Sequence, residues 1–199
     1  VTRSPDGAAA AQVRIIGGRW RRSRVPVPRG DGVRPTPDRV RETLFNWLGQ
    51  SLEGWRCLDL YAGSGVLGLE AASRGAIRVV CVERDRRVAE ALRGTAARLG
   101  AVQVEVVCAE ARAWLAGSAE RFDLVFVDPP YAGGELRRVL PEAARHLSPG
   151  GWLYAESDAP VVLGAPGFES LAGWAVHRAA CAGRVHYHLL RPPPADPGA

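Results

Sequence analysis

From Gly54 onward the chain alternates two patterns: short apolar runs, and longer stretches with apolar residues every three or four positions. The first pattern reads as buried strands and the second as amphipathic helices. The spacing predicts strands over Cys57–Tyr61, Val79–Glu83, Val104–Cys108, Phe122–Asp128, Gly151–Glu156, Val176–Cys181 and Val185–Leu190. It predicts helices over Leu67–Arg74, Arg86–Leu99, Ala109–Leu115 and Glu135–Leu147. Alternation of this kind implies an α/β fold with a mostly parallel sheet covered on both faces. The last two runs are joined only by a short link at Ala182-Gly183, too short for a parallel crossover, so that pair is expected to be an antiparallel hairpin.

Upstream the pattern changes. Arg14-Ile15-Ile16, a turn at Gly17-Gly18, Arg19–Arg22 and Val25-Pro26-Val27 read as a small β extension. Thr36 is placed to cap a helix with Pro37 at its first position and Asp38 in its first turn. Val40, Leu44, Trp47 and Leu48 form the apolar stripe of that helix. The expected organisation is disorder over 1–12, the β extension over 13–33, an α/β domain over 34–191 and a Pro-rich disordered tail over 192–199.

Charge sharpens this division. Residues 1–41 hold ten Arg against Asp6, Asp31 and Asp38, while the rest of the chain is mildly acidic. A basic segment on an acidic body suits a polyanion, and the alternative is a solvated terminus. The absence of Lys follows from a GC-rich coding composition rather than from function. With 47% hydrophobic residues, no membrane-length apolar stretch and no apolar signal region in 1–12, the chain is expected to be cytoplasmic. Cys57, Cys81, Cys108 and Cys181 lack C-x-x-C spacing and sit in apolar runs, so all four are expected to be reduced core residues. His146, His177, His186 and His188 show no ligand spacing, so no metal is expected.

Two motifs carry chemistry. Asp59-Leu60-Tyr61-Ala62-Gly63-Ser64-Gly65-Val66-Leu67-Gly68 is a strand, a glycine turn and a helix start. It fits both a dinucleotide and an S-adenosylmethionine site, with Glu83 and Arg84 at the next strand end near a ribose and Ala109-Glu110 near an adenine edge. Asp59 favours the second, because a carboxylate can accept from a cationic amino-acid head group and repels a pyrophosphate. The other motif is Asp128-Pro129-Pro130-Tyr131, which follows an apolar strand. The carboxylate and the Pro129 carbonyl can accept both N–H groups of an exocyclic base amine, and Tyr131 can stack on the base. A bare strand exit is the bland alternative for the tetrapeptide alone.

Arg14-Ile15-Ile16-Gly17-Gly18, the stretch Arg34-Pro35-Thr36-Pro37-Asp38-Arg39-Val40-Arg41-Glu42-Thr43-Leu44-Phe45-Asn46-Trp47-Leu48 and the two motifs above together resemble the bacterial 16S rRNA guanine-N2 methyltransferase family, RsmD. The resemblance runs from about Arg14 to about Leu190. It implies a class I methyltransferase fold, Rossmann-like, with a seven-stranded sheet and an N-terminal β extension. It implies S-adenosylmethionine as donor and a guanine in the head of the small ribosomal subunit as acceptor. Family-like roles fall on Asp59, Tyr61, Ala62, Gly63, Ser64, Gly65, Glu83, Arg84, Ala109, Glu110 and Asp128 for the cofactor, and on Asp128 to Tyr131 for catalysis. Pro37 and Glu110 depart from the commoner Thr and Asp.

Arg14, Arg19, Arg21, Arg22, Arg24, Arg34 and Arg39 are expected to meet RNA phosphates. Trp20 is expected to pack on RNA or on the body. The helix carrying Arg39, Arg41 and Glu42 either presents a solvated face or lids the cofactor cleft. A monomer acting on 16S rRNA is expected. The competing readings are a DNA amino-methyltransferase, an NAD-dependent oxidoreductase on the same glycine turn, and a non-catalytic RNA-binding factor.

Overall fold

The computed structural model describes residues 11–27, 36–131 and 134–193. The expectations for residues 1–10 and 194–199, for Arg34 and for most of the loop leading to the first helix lie outside these residues, while Gln12, expected to be disordered, begins a strand. Two short strands, β1 (Gln12–Arg14) and β2 (Arg24–Pro26), pair antiparallel. Helix α1 (Asp38–Trp47) leads into β3 (Arg56–Asp59), α2 (Val66–Ser73), β4 (Arg78–Glu83), α3 (Arg86–Leu99), β5 (Val104–Cys108), α4 (Ala111–Gly117) and β6 (Phe122–Val127). Then come α5 (Glu135–Ala144), β7 (Leu147–Ser157), β8 (Ala175–Ala182) and β9 (Val185–Arg191).

The seven-stranded sheet runs β5-β4-β3-β6-β7-β9-β8. Five strands are parallel, and β9 pairs antiparallel with both β7 and β8, as the short link requires. The chain steps outward from β3 to β4 and β5, then returns to the other side of β3 as β6. That reversal opens a crevice at the C-terminal ends of β3 and β6, where sheets of this type bind ligands.

Alternation along the strands divides the core. Cys57, Val79, Leu124, Phe126 and Tyr154 face one side, with α1, α2, α3 and the hairpin. Leu58, Val80, Val125, Val127 and Leu153 face the other, with α4 and α5. Asp59 falls on the α1 side by the same parity, and so do Asp128 and Glu156 one step past the paired residues Val127 and Ala155.

Several expectations change. Arg19–Arg22 is a turn, not a strand: Ile15 and Arg22 are joined by a backbone hydrogen bond, and the returning strand starts at Arg24. Thr36 does not cap α1. Pro37 occupies the cap position without a side-chain bond, and the Thr36 hydroxyl donates to Glu156 Oε1 at 3.0 Å. The helix predicted to Leu147 ends at Ala144, and β7 begins at Leu147 instead of Gly151. Cys57 and Cys81 are buried as expected, but Cys108 and Cys181 are exposed, because β5 and β8 are the sheet's edges. All four thiols are free. Among the described residues no His/Cys/Asp/Glu group could hold a metal, and no helix is long and apolar enough to cross a membrane.

Candidate active site

The turn after β3 is built for close approach. Gly63 and Gly65 both have positive φ, and the Gly65 N–H donates to the Ala62 carbonyl at 2.6 Å. A Cβ at Gly65 would lie 2.2 Å from Leu92 Cδ1, so this position admits no side chain without displacing α3. Ser64 is buried within the turn. Asp59 sits beneath it, and its Oδ2 accepts the Gly68 N–H at 3.0 Å in the first turn of α2. Burial pushes the Asp59 carboxyl up to about 7, while the Gly68 bond opposes the rise and the charges of Glu83 and Glu156 add to it. Asp59 thus anchors the helix start; sequence reasoning had given it only a ligand.

Glu83, at the end of β4, accepts the Gly63 N–H through Oε2 at 2.9 Å and the Asp85 N–H through Oε1 at 2.8 Å. Each oxygen keeps a lone pair for hydroxyl donors. Arg84 is exposed beside it, and the Ala109 N–H donates to the Glu83 carbonyl, joining the two loops. Glu110 is occupied differently from expectation: its Oε2 accepts the Ala113 N–H at 2.8 Å and caps α4. Tyr61 donates to Glu135 Oε1 at 2.9 Å and ties the turn to α5. Burial, then the Glu135 bond, drives its phenol far above the usual range.

Asp128-Pro129-Pro130-Tyr131 leaves the sheet beside this turn. Asp59 pairs with Phe126, and the Leu60 N–H donates to the Phe126 carbonyl at 3.2 Å, so the ends of β3 and β6 converge. Asp128 is half-buried, Pro129 buried, and Pro130 and Tyr131 exposed, the last at 41%. Pro129, Pro130 and Tyr131 line one part of a small cavity of about 100 Å³, to which Ser157, Asp158 and Pro160 also contribute. A larger open cleft of about 680 Å³, lined by Arg19, Gln50, Ser73 and Gly75, lies at the far end of α2, away from the glycine turn.

Three carboxylates share the α1 side of this crevice: Asp59, Asp128 and Glu156. Burial drives Asp128 well above the carboxylate range, the Glu156 and Asp59 charges reinforce it, and a Thr36 hydrogen bond pulls it back. Glu156 was not anticipated. Its Oε1 accepts from Thr36 at 3.0 Å and from the Tyr154 hydroxyl at 2.7 Å, and burial raises its pKa while both bonds lower it. The available signal was a lone carboxylate ending an apolar strand.

The arginines fall into two groups. Arg14, Arg19, Arg21, Arg22, Arg24 and Arg39 are exposed, and Arg14 pairs with Asp38 at 2.8 Å. Arg41 is wholly buried and takes no part in a solvated face, whereas Arg39 and Glu42 of the same helix are exposed. Arg41 donates to Asp38, to the carbonyls of Thr36 and Arg14, and to Glu70. Of the two places open to Trp20, the indole takes the body: at 7% exposure it packs in the core and offers no face to RNA. The hairpin's grip is Glu70, whose carboxylate accepts the N–H groups of Ile16 and Gly17, both at 2.8 Å.

The sequence profile of a family described as conserved hypothetical protein 95 matches residues 13–191. The Escherichia coli K12 ribosomal RNA small subunit methyltransferase D is 43% identical over 95% of this chain and 94% of its own length. The Haemophilus influenzae protein of the same name is 36% identical, over 92% of this chain and 95% of its own. A solved Escherichia coli structure, yhhF, described as a candidate methyltransferase, superposes with a TM-score of 0.80 at 41% identity, covering 92% of this chain and 99% of its own.

Proposed function

This chain belongs to the ribosomal RNA small subunit methyltransferase D family, and on that premise we propose that its site methylates the exocyclic N2 amino group of a guanine in 16S rRNA. The protein is an S-adenosylmethionine-dependent rRNA methyltransferase. The residues fit that donor. The Gly63–Gly65 backbone is bare enough for close approach, and Glu83 holds its carboxylate in place with lone pairs to spare for ribose hydroxyls. When bound, S-adenosylmethionine supplies an electrophilic methyl group.

The chain's own residues prepare the nucleophile. A base amine conjugates with its ring and is a weak nucleophile. Asp128 and the Pro129 carbonyl, each accepting one N–H, favour a pyramidal nitrogen and stabilise the positive charge that develops on it. Asp128 is also the base within reach of the departing proton. Tyr131 stacks on the extruded base, and the exposed hairpin arginines neutralise phosphates. We place the protein in the cytoplasm as a monomer on the small subunit. The observation that carries this reading is the convergence of the Asp128-Pro129 exit with the glycine turn at the sheet's crevice.

The test is incubation of unmodified small subunits with labelled S-adenosylmethionine, followed by mapping of the modified base. Label on a guanine N2, lost in Asp128→Ala, is the expected result. Label on a base carbon or a ribose oxygen, or transfer to duplex DNA in preference to the subunit, overturns it.

A further inference from the structure

Asp128 does not act on a plain strand end. β6 and β7 are parallel, with Val127 paired to Ala155, so the next residues, Asp128 and Glu156, stand side by side on the α1 face. Thr36, just ahead of α1, is buried between that helix and the sheet and donates its hydroxyl to Glu156. Tyr154, two residues earlier on β7, donates to the same Glu156 oxygen. Behind Thr36, the guanidinium of Arg41 donates to the Thr36 carbonyl at 3.1 Å and fixes its backbone. The groups facing the pair are therefore Thr36 ahead of α1, Arg41 on α1, Asp59 on β3, Tyr154 on β7 and Tyr187 on β9, the residue paired with Glu156.

We propose that Glu156 is a positioning residue of the methyl-transfer site, which acts through Asp128: its charge, oriented by the Thr36 and Tyr154 hydroxyls at the neighbouring strand end, governs the pH at which Asp128 is free to accept from the amine. The inference rests on the function proposed above. Two carboxylates at neighbouring strand ends beneath one helix do not both ionise freely, so they titrate as a pair. In the reaction the guanine nitrogen gains the methyl carbon, the carbon–sulfur bond breaks with its electron pair going to sulfur, and the nitrogen gives one proton to Asp128. Glu156's negative charge favours Asp128 as the holder of that proton. The Thr36 hydroxyl, with one proton to share between Glu156 and Asp128, pulls the other way by favouring the charged form of Asp128.

The opposing effects give a test with two signs. Glu156→Gln keeps an oxygen for Thr36 and Tyr154 but removes the charge. Thr36→Val keeps the shape but removes the hydroxyl. Two readouts are taken on each: the acid limb of the kcat/KM profile for rRNA methylation, and the titration of 13C-carboxyl-labelled aspartate in the protein alone, with Asp128→Asn assigning the resonance. Glu156→Gln is expected to move the limb and the Asp128 titration to lower pH by about one unit or more. Thr36→Val is expected to move both to higher pH. A Glu156→Gln protein that is slower with an unmoved limb makes Glu156 merely structural and overturns the inference. Should that variant not fold, Thr36→Val decides: an unmoved titration overturns it equally. If the titration moves as stated but wild type labels no rRNA, the proposed function falls and the coupling between the carboxyls stands.

Discussion

Arg41 and Glu70 meet in the interior, Nη1 to Oε2 at 3.3 Å, with neither side chain exposed to solvent. Arg74 reaches Glu70 from the other side at 2.7 Å, and two backbone N–H groups of the hairpin complete the carboxylate's partners. Burial lowers the Arg41 pKa, and the charges of Glu70 and then Asp38 oppose the fall without cancelling it. Such a cluster is tolerable only when complete, because removing one member leaves uncompensated charge inside the protein. Glu70→Ala is expected to lower the unfolding free energy by about 3–5 kcal/mol. Urea denaturation checks this.

The glycine turn leaves no room for a side chain at Gly65 unless Leu92 gives way. Gly65→Ala places a Cβ against Leu92 and holds a non-glycine residue at φ +76°. The expected cost is about 1–3 kcal/mol of stability, with cofactor affinity, read by calorimetry, falling at least tenfold. Adding Leu92→Ala relieves the collision but not the backbone strain, so affinity should recover only in part.

Asp59 carries a stability cost at neutral pH. Its folded pKa of about 7 lies above the unfolded carboxylate value, so the folded state binds more protons between them. Its contribution to stability is therefore fully present below the unfolded pKa, near 4, and is lost as pH rises to about 7. Asp59→Asn should remove this loss: the variant gains on wild type as pH rises from 4 to 7.5, by roughly 4 kcal/mol at most. Paired urea titrations at the two pH values measure the difference. A gain that does not grow with pH refutes the assignment.

The exposed hairpin arginines predict a change in salt dependence. Replacing Arg19, Arg21 and Arg22 by Ala is expected to weaken rRNA binding and flatten the plot of log affinity against log salt by about 0.7–0.9 for each phosphate left without its arginine. Cofactor affinity should be unchanged. An unaltered slope would show that these residues do not touch the polyanion.

The parallel sheet and its final antiparallel pair were legible because alternating patterns and a short last link leave few topologies. Asp59, Glu83 and Asp128 could be located for the same reason: each ends an apolar run. The buried charges were harder to read. Arg41 lies between Val40 and Leu44 on the apolar arc of α1, and Glu70 is the one charge in a helix of small and apolar residues. Each is a local contradiction of its pattern, intelligible only once the partner from a distant segment is known. Thr36 was misread, and Trp20 was left open between RNA and the body, for a related reason. Local sequence supplied a plausible surface or capping role, and long-range partners, the core for one and Glu156 for the other, prevailed.

The basic hairpin is not a detachable module. Ile15 and Trp20 belong to the main core, Ser73 holds the turn through Gly17 and Trp20, and Glu70 on α2 grips the strand exit. The same helix begins at the glycine turn. Any replacement of this arm must therefore present two backbone N–H groups to Glu70 and fill the core places of Ile15 and Trp20. Removal of the arm would leave the buried Glu70 carboxylate without two of the N–H groups that satisfy it.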